Sequence, residues 1–264
     1  MEQSIINHLP DSFPWKDRVR YLAVTGSTNT DLKELARQGA PHGTALIAGS
    51  QTAGRGRMGR GFESPEGQGV YLSLLLRPQC PAASLMHLTC AAAVAMCEAV
   101  EHAAGFRPGI KWTNDLVFGK QKLGGILTEL SLAPGGMVEF AIIGIGINCC
   151  QQPEDFPPAI KDIAASLTMV SGKPVSPVSL AAEMLCSLYQ MDQQLSQPDL
   201  ILNEYRCNCI TLGKEISLVR GQDILHGKAL DIDEEGALLV EFPDGTIRKV
   251  NSGEVSVRGM YGYV

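Results

Sequence analysis

The sequence predicts an α+β fold: a mixed β-sheet with helices set to one side, followed by a small all-β domain. Three observations predict it. Apolar runs of strand length follow one another through glycine-rich turns, flanked by helix-length apolar or amphipathic segments. Strands that neighbour in hairpins, instead of alternating regularly with helices, argue against a doubly wound parallel sheet. After about Gly213 the texture changes to short β runs split by the turn signals VRGQD, DEEG, PDGT and NSGE. The expected division is 1–212 and 213–264.

The elements follow in order. Residues 20–25 form a short strand, and Ser27-Thr-Asn-Thr-Asp31 is a dense N-cap signal for a helix that ends at Gly39. Residues 44–50 form a strand, followed by a glycine-arginine stretch and the turn-rich SPEGQG. VYLSLLL (70–76) is an apolar strand, and the Ala-rich run 84–104 is a long helix apolar on more than one side. Three strand candidates come next, 110–118, 123–132 and 138–148, with FGKQK (118–122) and APGG (133–136) as turns. A Pro-rich loop (151–159) and SGKPVSP (171–177) lead to a second amphipathic helix near 178–196. Some five short strands fill the remainder, and DIDEE (231–235) reads as a solvated hairpin tip.

Composition narrows the function classes. The 264 residues are 45% apolar and 19% charged, enough for a sizeable core and too apolar for whole-chain disorder. A net charge of −6 disfavours a broad basic face for nucleic acid. The N-terminal segment has neither the basic nor the apolar region of a secretory signal. No apolar run reaches bilayer length, since His87, Glu98 and Glu101 interrupt the longest candidate. The expectation is a soluble, cytoplasmic protein with no membrane partner. The eight cysteines include no CxxC pair, so no metal site is expected. Cys90, Cys97 and Cys186 are expected as core thiols, while the adjacent Cys149 and Cys150 and the pair Cys207 and Cys209 stay open. Glycine is in excess, 28 residues against roughly 18 at average usage. Nine lie in 39–69 and seven in 119–146, which points to backbone shaped for close approach.

Four polar blocks carry the chemistry. The stretch 54–62 (GRGRMGRGF) matches GxGxxG, but GFESPEGQG follows it where a dinucleotide site needs a helix. What remains is three arginines on four glycines with no acid, suited to closing over phosphate or carboxylate; an exposed basic loop that binds RNA is the alternative. In Lys111-Trp-Thr-Asn-Asp115 an alternating strand would put Lys111, Thr113 and Asp115 on one face; a half-exposed structural strand is the alternative. In Gly144-Ile-Gly-Ile-Asn148 alternate glycines strip one strand face so that something flat can lie on it, unless they serve strand–helix packing. Ser27-Thr-Asn29 can cap a helix or hold a polar ring.

In this order the blocks GSTN, QTAGRGRMGR, KWTNDL, KLGGIL and GIGIN, followed by a small β domain, resemble biotin protein ligases, from about residue 20 to the C-terminus. The resemblance implies a class II synthetase-like catalytic domain and a C-terminal SH3-like β-barrel. It implies ATP-dependent activation of biotin as biotinyl-5′-AMP, with Mg²⁺, and transfer to a lysine of a biotin carboxyl carrier protein or domain. Ser27, Thr28, Asn29 and Gln51 match the family's contacts to the biotin ureido ring. Arg55, Gly56 and Arg57 match its phosphate- and carboxylate-binding loop, and Lys122 the lysine at the reacting carboxylate, beside Gly125. Asn114 and Asn148 fall near the adenine, Phe62 where the family usually has a tryptophan, and Lys111 and Asp115 at the reaction centre, Asp115 as a base for transfer. The departures are Gly26 for an Asp, Thr113 for a Pro and Phe62 for the Trp. A lipoate or octanoate ligase is the enzyme alternative, disfavoured by the GRGR and KLGGIL blocks, and a nucleic-acid module using the Gly-Arg loop is the alternative of another class. About twenty residues precede the first strand, too few for the helix-turn-helix domain of some members, so no DNA partner is expected; a homodimer is compatible with the resemblance.

Overall fold

The computed structural model describes residues 1–251 and 256–259; part of the NSGE turn and the last five residues lie outside the described residues. The element order is α1 (Glu2–His8), β1 (Val19–Thr25), α2 (Thr28–Arg37), β2 (Ala45–Gln51), β3 (Gly69–Leu76), α3 (Leu88–Ala104), β4 (Gly109–Lys111) and β5 (Asp115–Phe118). It continues with β6 (Gln121–Leu132), β7 (Val138–Asn148), α4 (Leu167–Ser171), α5 (Pro177–Gln194) and α6 (Pro198–Asn208). A second group of strands follows: β8 (Glu215–Arg220), β9 (Asp223–Ile232), β10 (Leu238–Glu241), β11 (Ile247–Val250) and β12 (Ser256–Gly259).

Seven strands form one mixed sheet in the order β1-β2-β3-β7-β6-β5-β4, in which β1 and β2 are parallel and the other pairs antiparallel. Alternation decides what each face does. Val70, Leu72, Leu74 and Leu76 of β3, with Ile143, Ile145 and Ile147 of β7, pack in the main core with α1, α3 and α5. The small side chains of α3 let its backbone approach α5 closely: Ala91, Ala92, Ala93 and Cys97 are all fully buried. With its preceding 3₁₀ turn, the segment Ala82–Ala104 is long and apolar enough to cross a membrane, which His87, Glu98 and Glu101 were expected to prevent, yet it is mostly buried as a core helix.

On the opposite face α2 alone covers the sheet, where Leu32 and Ala36 meet Leu46, Leu75, Phe140 and Ile142. The described residues place no further α-helix on the rest of that face. The site lies there.

Four expectations change. The run 110–118 is not one strand: β4 and β5 are a tight hairpin in which Lys111 pairs with Asp115 across the turn Trp112-Thr113-Asn114. The turn before β6 is shorter than FGKQK, because β6 already starts at Gln121. Helices α1, α4 and α6 were not foreseen. The acidic tip is not simply solvated, because Ile232 and Gly236 are buried and the Gly236 carbonyl accepts the Trp112 indole N–H at 3.0 Å. The five C-terminal strands form an antiparallel sheet of order β11-β10-β9-β8-β12, the SH3-like part of the molecule.

Candidate functional site

The open half of the sheet is the floor of a cavity of about 1000 Å³. Directly paired residues across β4, β5, β6, β7 and β3 form one row: Lys111, Asp115, Gly125, Gly146 and Tyr71. The two glycines leave a bare strip between a charged pair and an aromatic wall. The protein's own side chains fill part of this strip. A Cβ at Gly146 would lie 2.4 Å from the Phe62 ring, and one at Gly144 would lie 2.0 Å from Asn29 Oδ1. The alternate glycines of β7 therefore seat Asn29 and Phe62, rather than exposing the whole strip to a ligand.

At one end of the cavity the start of α2 carries a hydrogen-bonded cluster. Ser27 occupies the N-cap position, but its side chain makes no capping bond. Gln51 Oε1 instead accepts from the Thr28 amide N–H at 2.9 Å and the Thr28 hydroxyl at 3.1 Å. Ser73 Oγ lies 2.7 Å from Thr28 Oγ1 and 2.6 Å from Asn29 Oδ1. Asn29 Nδ2 donates to Glu129 at 3.0 Å. Ser27, Thr28 and Asn29 are buried, so this polar group is held in one arrangement inside the fold.

The same cavity is lined by cations. The stretch 54–62 is a folded loop rather than a flexible tract: Phe62 N–H donates to the Gly54 carbonyl, Gly56 N–H to that of Arg60, and Met58 and Gly59 take positive φ at the tip. Arg55 and Arg57 line the cavity, as they would not in an exposed RNA-binding tract. Arg57 donates to Asn114 Oδ1 at 2.8 Å, while its Nη2 is buried with no partner among the described residues. Burial lowers its pKa and Asp115 opposes that shift, but a guanidinium stays charged in proteins. Lys122 Nζ is 2.6 Å from Asp115 Oδ1. A bulge between β5 and β6 brings this about: Leu116 pairs with Gly124 but Val117 with Lys122, so Leu123 enters the core and Lys122 turns to the cavity. Five cations (Arg55, Arg57, Arg60, Lys111, Lys122) and three carboxylates (Glu63, Asp115, Asp155) line the space, a local positive balance in an acidic protein.

All the residues expected from the sequence line this one cavity: Ser27, Thr28, Asn29, Gln51, Arg55, Gly56, Arg57, Phe62, Lys111, Asn114, Asp115, Lys122, Gly125 and Asn148. Sequence reasoning missed Glu129. Its carboxylate takes Lys33 at 2.5 Å, Arg55 at 3.1 Å and Asn29, so it joins the polar end to the arginine loop. Burial pushes its pKa up, but these donors outweigh burial and hold it below the usual carboxylate range. Also missed was the wall built by Phe156, Pro157, Ile160 and Ile163 of the Pro-rich loop and its continuation. Apolar residues beside Pro were the available signal. The thiols of Cys149 and Cys150 both point to the Val175 carbonyl, behind the site. Among the described residues no three His, Cys, Asp or Glu side chains come together to hold a metal ion.

Comparisons with known proteins fit this geometry. Residues 21–148 match the biotin/lipoate A/B protein ligase family, and 211–258 the biotin protein ligase C terminal domain. The bifunctional ligase/repressor BirA of Bacillus subtilis is 39% identical over 242 residues, 90% of this chain and 73% of that protein. The biotin--[acetyl-CoA-carboxylase] ligase of Mycobacterium tuberculosis is 33% identical over 242 residues, 89% of this chain and 86% of that one. The biotin protein ligase from Aquifex aeolicus in complex with biotin and ATP superposes with a TM-score of 0.77 at 30% identity, covering 92% of this chain and 99% of that one. Sequence blocks, sheet topology and relatives agree: the chain belongs to the biotin protein ligase branch of the biotin/lipoate A/B protein ligase family.

Proposed function

We infer that the protein is an ATP-dependent ligase that activates biotin as biotinyl-5′-AMP and transfers it to a lysine of a biotin carboxyl carrier protein or domain. The observation that carries this reading is the pairing, in one cavity, of a buried, uncharged polar cluster with a group of cations. The first suits the uncharged ureido ring, whose N–H and C=O groups need fixed partners. The second suits a carboxylate brought against the α-phosphate of ATP, two anions that repel in water.

In this reading Ser27, Thr28, Asn29 and Gln51 hold the ureido ring, and Gly125 leaves room for the chain of the substrate over β6. Arg57 and Lys122 offset the charge of the meeting anions as pyrophosphate leaves, and the open Nη2 of Arg57 is a donor kept for one of them. Arg55 shares Glu129 with Lys33, so two cations meet one carboxylate and a positive balance remains. Lys111, Asn114 and Asn148 line the nucleotide side. Loop 54–62 shields the mixed anhydride from water. Mg²⁺ would be held chiefly by the ATP phosphates, which need few protein carboxylates, and would offset their charge; the described residues offer no dedicated cage of their own. The catalytic part spans 1–212 and the C-terminal domain 213–264, with Trp112 joining the two through Gly236.

The test uses the intact chain with ATP, Mg²⁺, biotin and an apo carrier domain, followed by mass spectrometry of the carrier, then the same with lipoate. Biotin on the carrier lysine is the expected result. Lipoate in its place overturns the reading.

Two variants probe roles within it. Asp115 is the base for the acceptor lysine, whose amine is mostly protonated at neutral pH. Asp115→Asn keeps an acceptor for Lys122 but removes the charge; adenylate formation stays within about threefold while transfer slows about 100-fold. Equal loss in both steps, measured by single-turnover assays, rules the role out. Phe62 sits edge-on to Tyr71 at 6.4 Å, where the family resemblance leads one to expect a tryptophan. Phe62→Trp is expected to tighten ATP binding about 2–10-fold through added stacking area, and unchanged nucleotide affinity by calorimetry counts against it.

A further inference from the structure

The end of β7 holds a chain of side-chain amides whose polarity is set by the backbone. The Ala165 carbonyl can only accept, so Asn148 must present Nδ2 to it, at 3.1 Å. Asn148 Oδ1 then faces Gln151, which must present its own Nε2, at 3.4 Å. Gln151 Oε1 is left at the end of the chain. Gln151 is 1% exposed, lines the cavity, and its Oε1 has no hydrogen-bond partner among the described residues. The Ser166 hydroxyl fixes its backbone by donating to the Gln151 carbonyl at 2.7 Å. A buried acceptor without a donor is costly, so its retention in a cavity points to a ligand that donates.

The surroundings say what kind of donor fits. The loop after Gln151 lines the cavity with Phe156, Pro157, Ile160 and Ile163, apolar surface suited to the faces of a planar base. The cations that suit phosphates come from other elements, the 54–62 loop, β4 and β6. Among the described residues that line the cavity, Gln151 Oε1 is the buried side-chain acceptor without a partner that a purine against this wall would meet. Adenine offers a donor there, its exocyclic 6-amino group; guanine and hypoxanthine offer an acceptor, the 6-oxo group.

We propose that Gln151 sets nucleobase specificity, its Oε1 accepting a hydrogen bond from the 6-amino group of adenine and excluding 6-oxo purines. The proposal rests on the ligase reading above, in which a nucleoside triphosphate activates biotin. Asn148 acts through Gln151, as the group that orients its amide.

The test compares biotinyl-nucleotide formation from ATP, inosine triphosphate and purine riboside triphosphate, which lacks a 6-substituent, in the intact protein and in Gln151→Met. The methionine keeps the length and apolar stem of glutamine but has no amide acceptor. The unsubstituted protein is expected to prefer ATP over both analogues by about 10–100-fold in kcat/KM, the range of one buried hydrogen bond. In Gln151→Met the preference falls to within about threefold, with biotin affinity unchanged because the biotin end lies on α2 and β2. Equal use of ATP and inosine triphosphate by the unsubstituted protein overturns the proposal without any variant, and so does a preference that survives in Gln151→Met. Formation of biotinyl-5′-AMP in those same assays leaves the ligase reading standing. No product from any of the three triphosphates overturns both.

Discussion

Gly144→Ala is expected to cost about 100-fold in biotin affinity, about 2.8 kcal/mol at 1.4 kcal/mol per tenfold, while the sheet stays folded. The added methyl would lie 2.0 Å from Asn29 Oδ1, 2.6 Å from its Cγ and 2.7 Å from its Nδ2. Asn29 cannot turn aside without loss, since Ser73 donates to Oδ1 and Glu129 accepts from Nδ2. The side chain must therefore leave the position in which it is proposed to meet the ureido ring. The backbone of Gly144 is ordinary β-strand, so alanine itself is tolerated there, and the overpacking costs about 1–3 kcal/mol of stability. Calorimetry with biotin and a thermal melt read the two effects separately. In an Asn29→Ala background the same substitution should add little, because the atom it strikes is gone. Biotin affinity within threefold of the original protein would contradict the argument.

Arg57→Ala should separate activity from stability in the opposite sense. Arg57 is half-buried, with one guanidinium nitrogen on Asn114 and another, Nη2, buried and lacking a partner among the described residues. Removing a donor aimed at developing charge slows such reactions about 10²–10³-fold, or about 2.7–4 kcal/mol. Adenylation is expected to fall by that amount, and the adenylate that does form should escape faster. The fold should not suffer, because a half-buried charge with a buried, unpartnered donor gains little in the unliganded protein. The thermal midpoint is expected to hold or rise. Adenylate release at the original rate, followed by rapid filtration, would remove Arg57 from this role.

Much of the site was legible because its chemistry is local in sequence. Gly-Arg repeats, three short polar residues in a row and a lysine before paired glycines are rare in a packing element, whatever the fold around them. The strands at 70–76 and 138–148 were legible for a similar reason: each is a near-continuous apolar run of strand length bounded by turn residues. The hairpin at 111–115 was not. Trp-Thr-Asn carries no Gly or Pro, and a period of two runs through it unbroken. Only the pairing of Lys111 with Asp115 shows that the two charges face each other across a turn. The acidic tip at 231–235 looked like any solvated turn, because nothing local announces that Gly236 will accept a hydrogen bond from Trp112.

The sequence by itself determined which residues line the cavity, the division into a mixed-sheet part and a small β part, and the membership in a family. The tertiary structure decided which of those groups are partners. Glu129 lies 74 residues from Arg55 and 100 from Asn29 along the chain, and ties them together only because β6 passes beneath both. Lys122 reaches Asp115 because one bulge turns it to the same face. Gln151 ends as a bare acceptor because a carbonyl at Ala165 fixes two amides in succession. Hydrogen bonds and ion pairs act over a few ångströms, so their partners depend on sheet register and loop packing. Neither is set by residues close together in the chain.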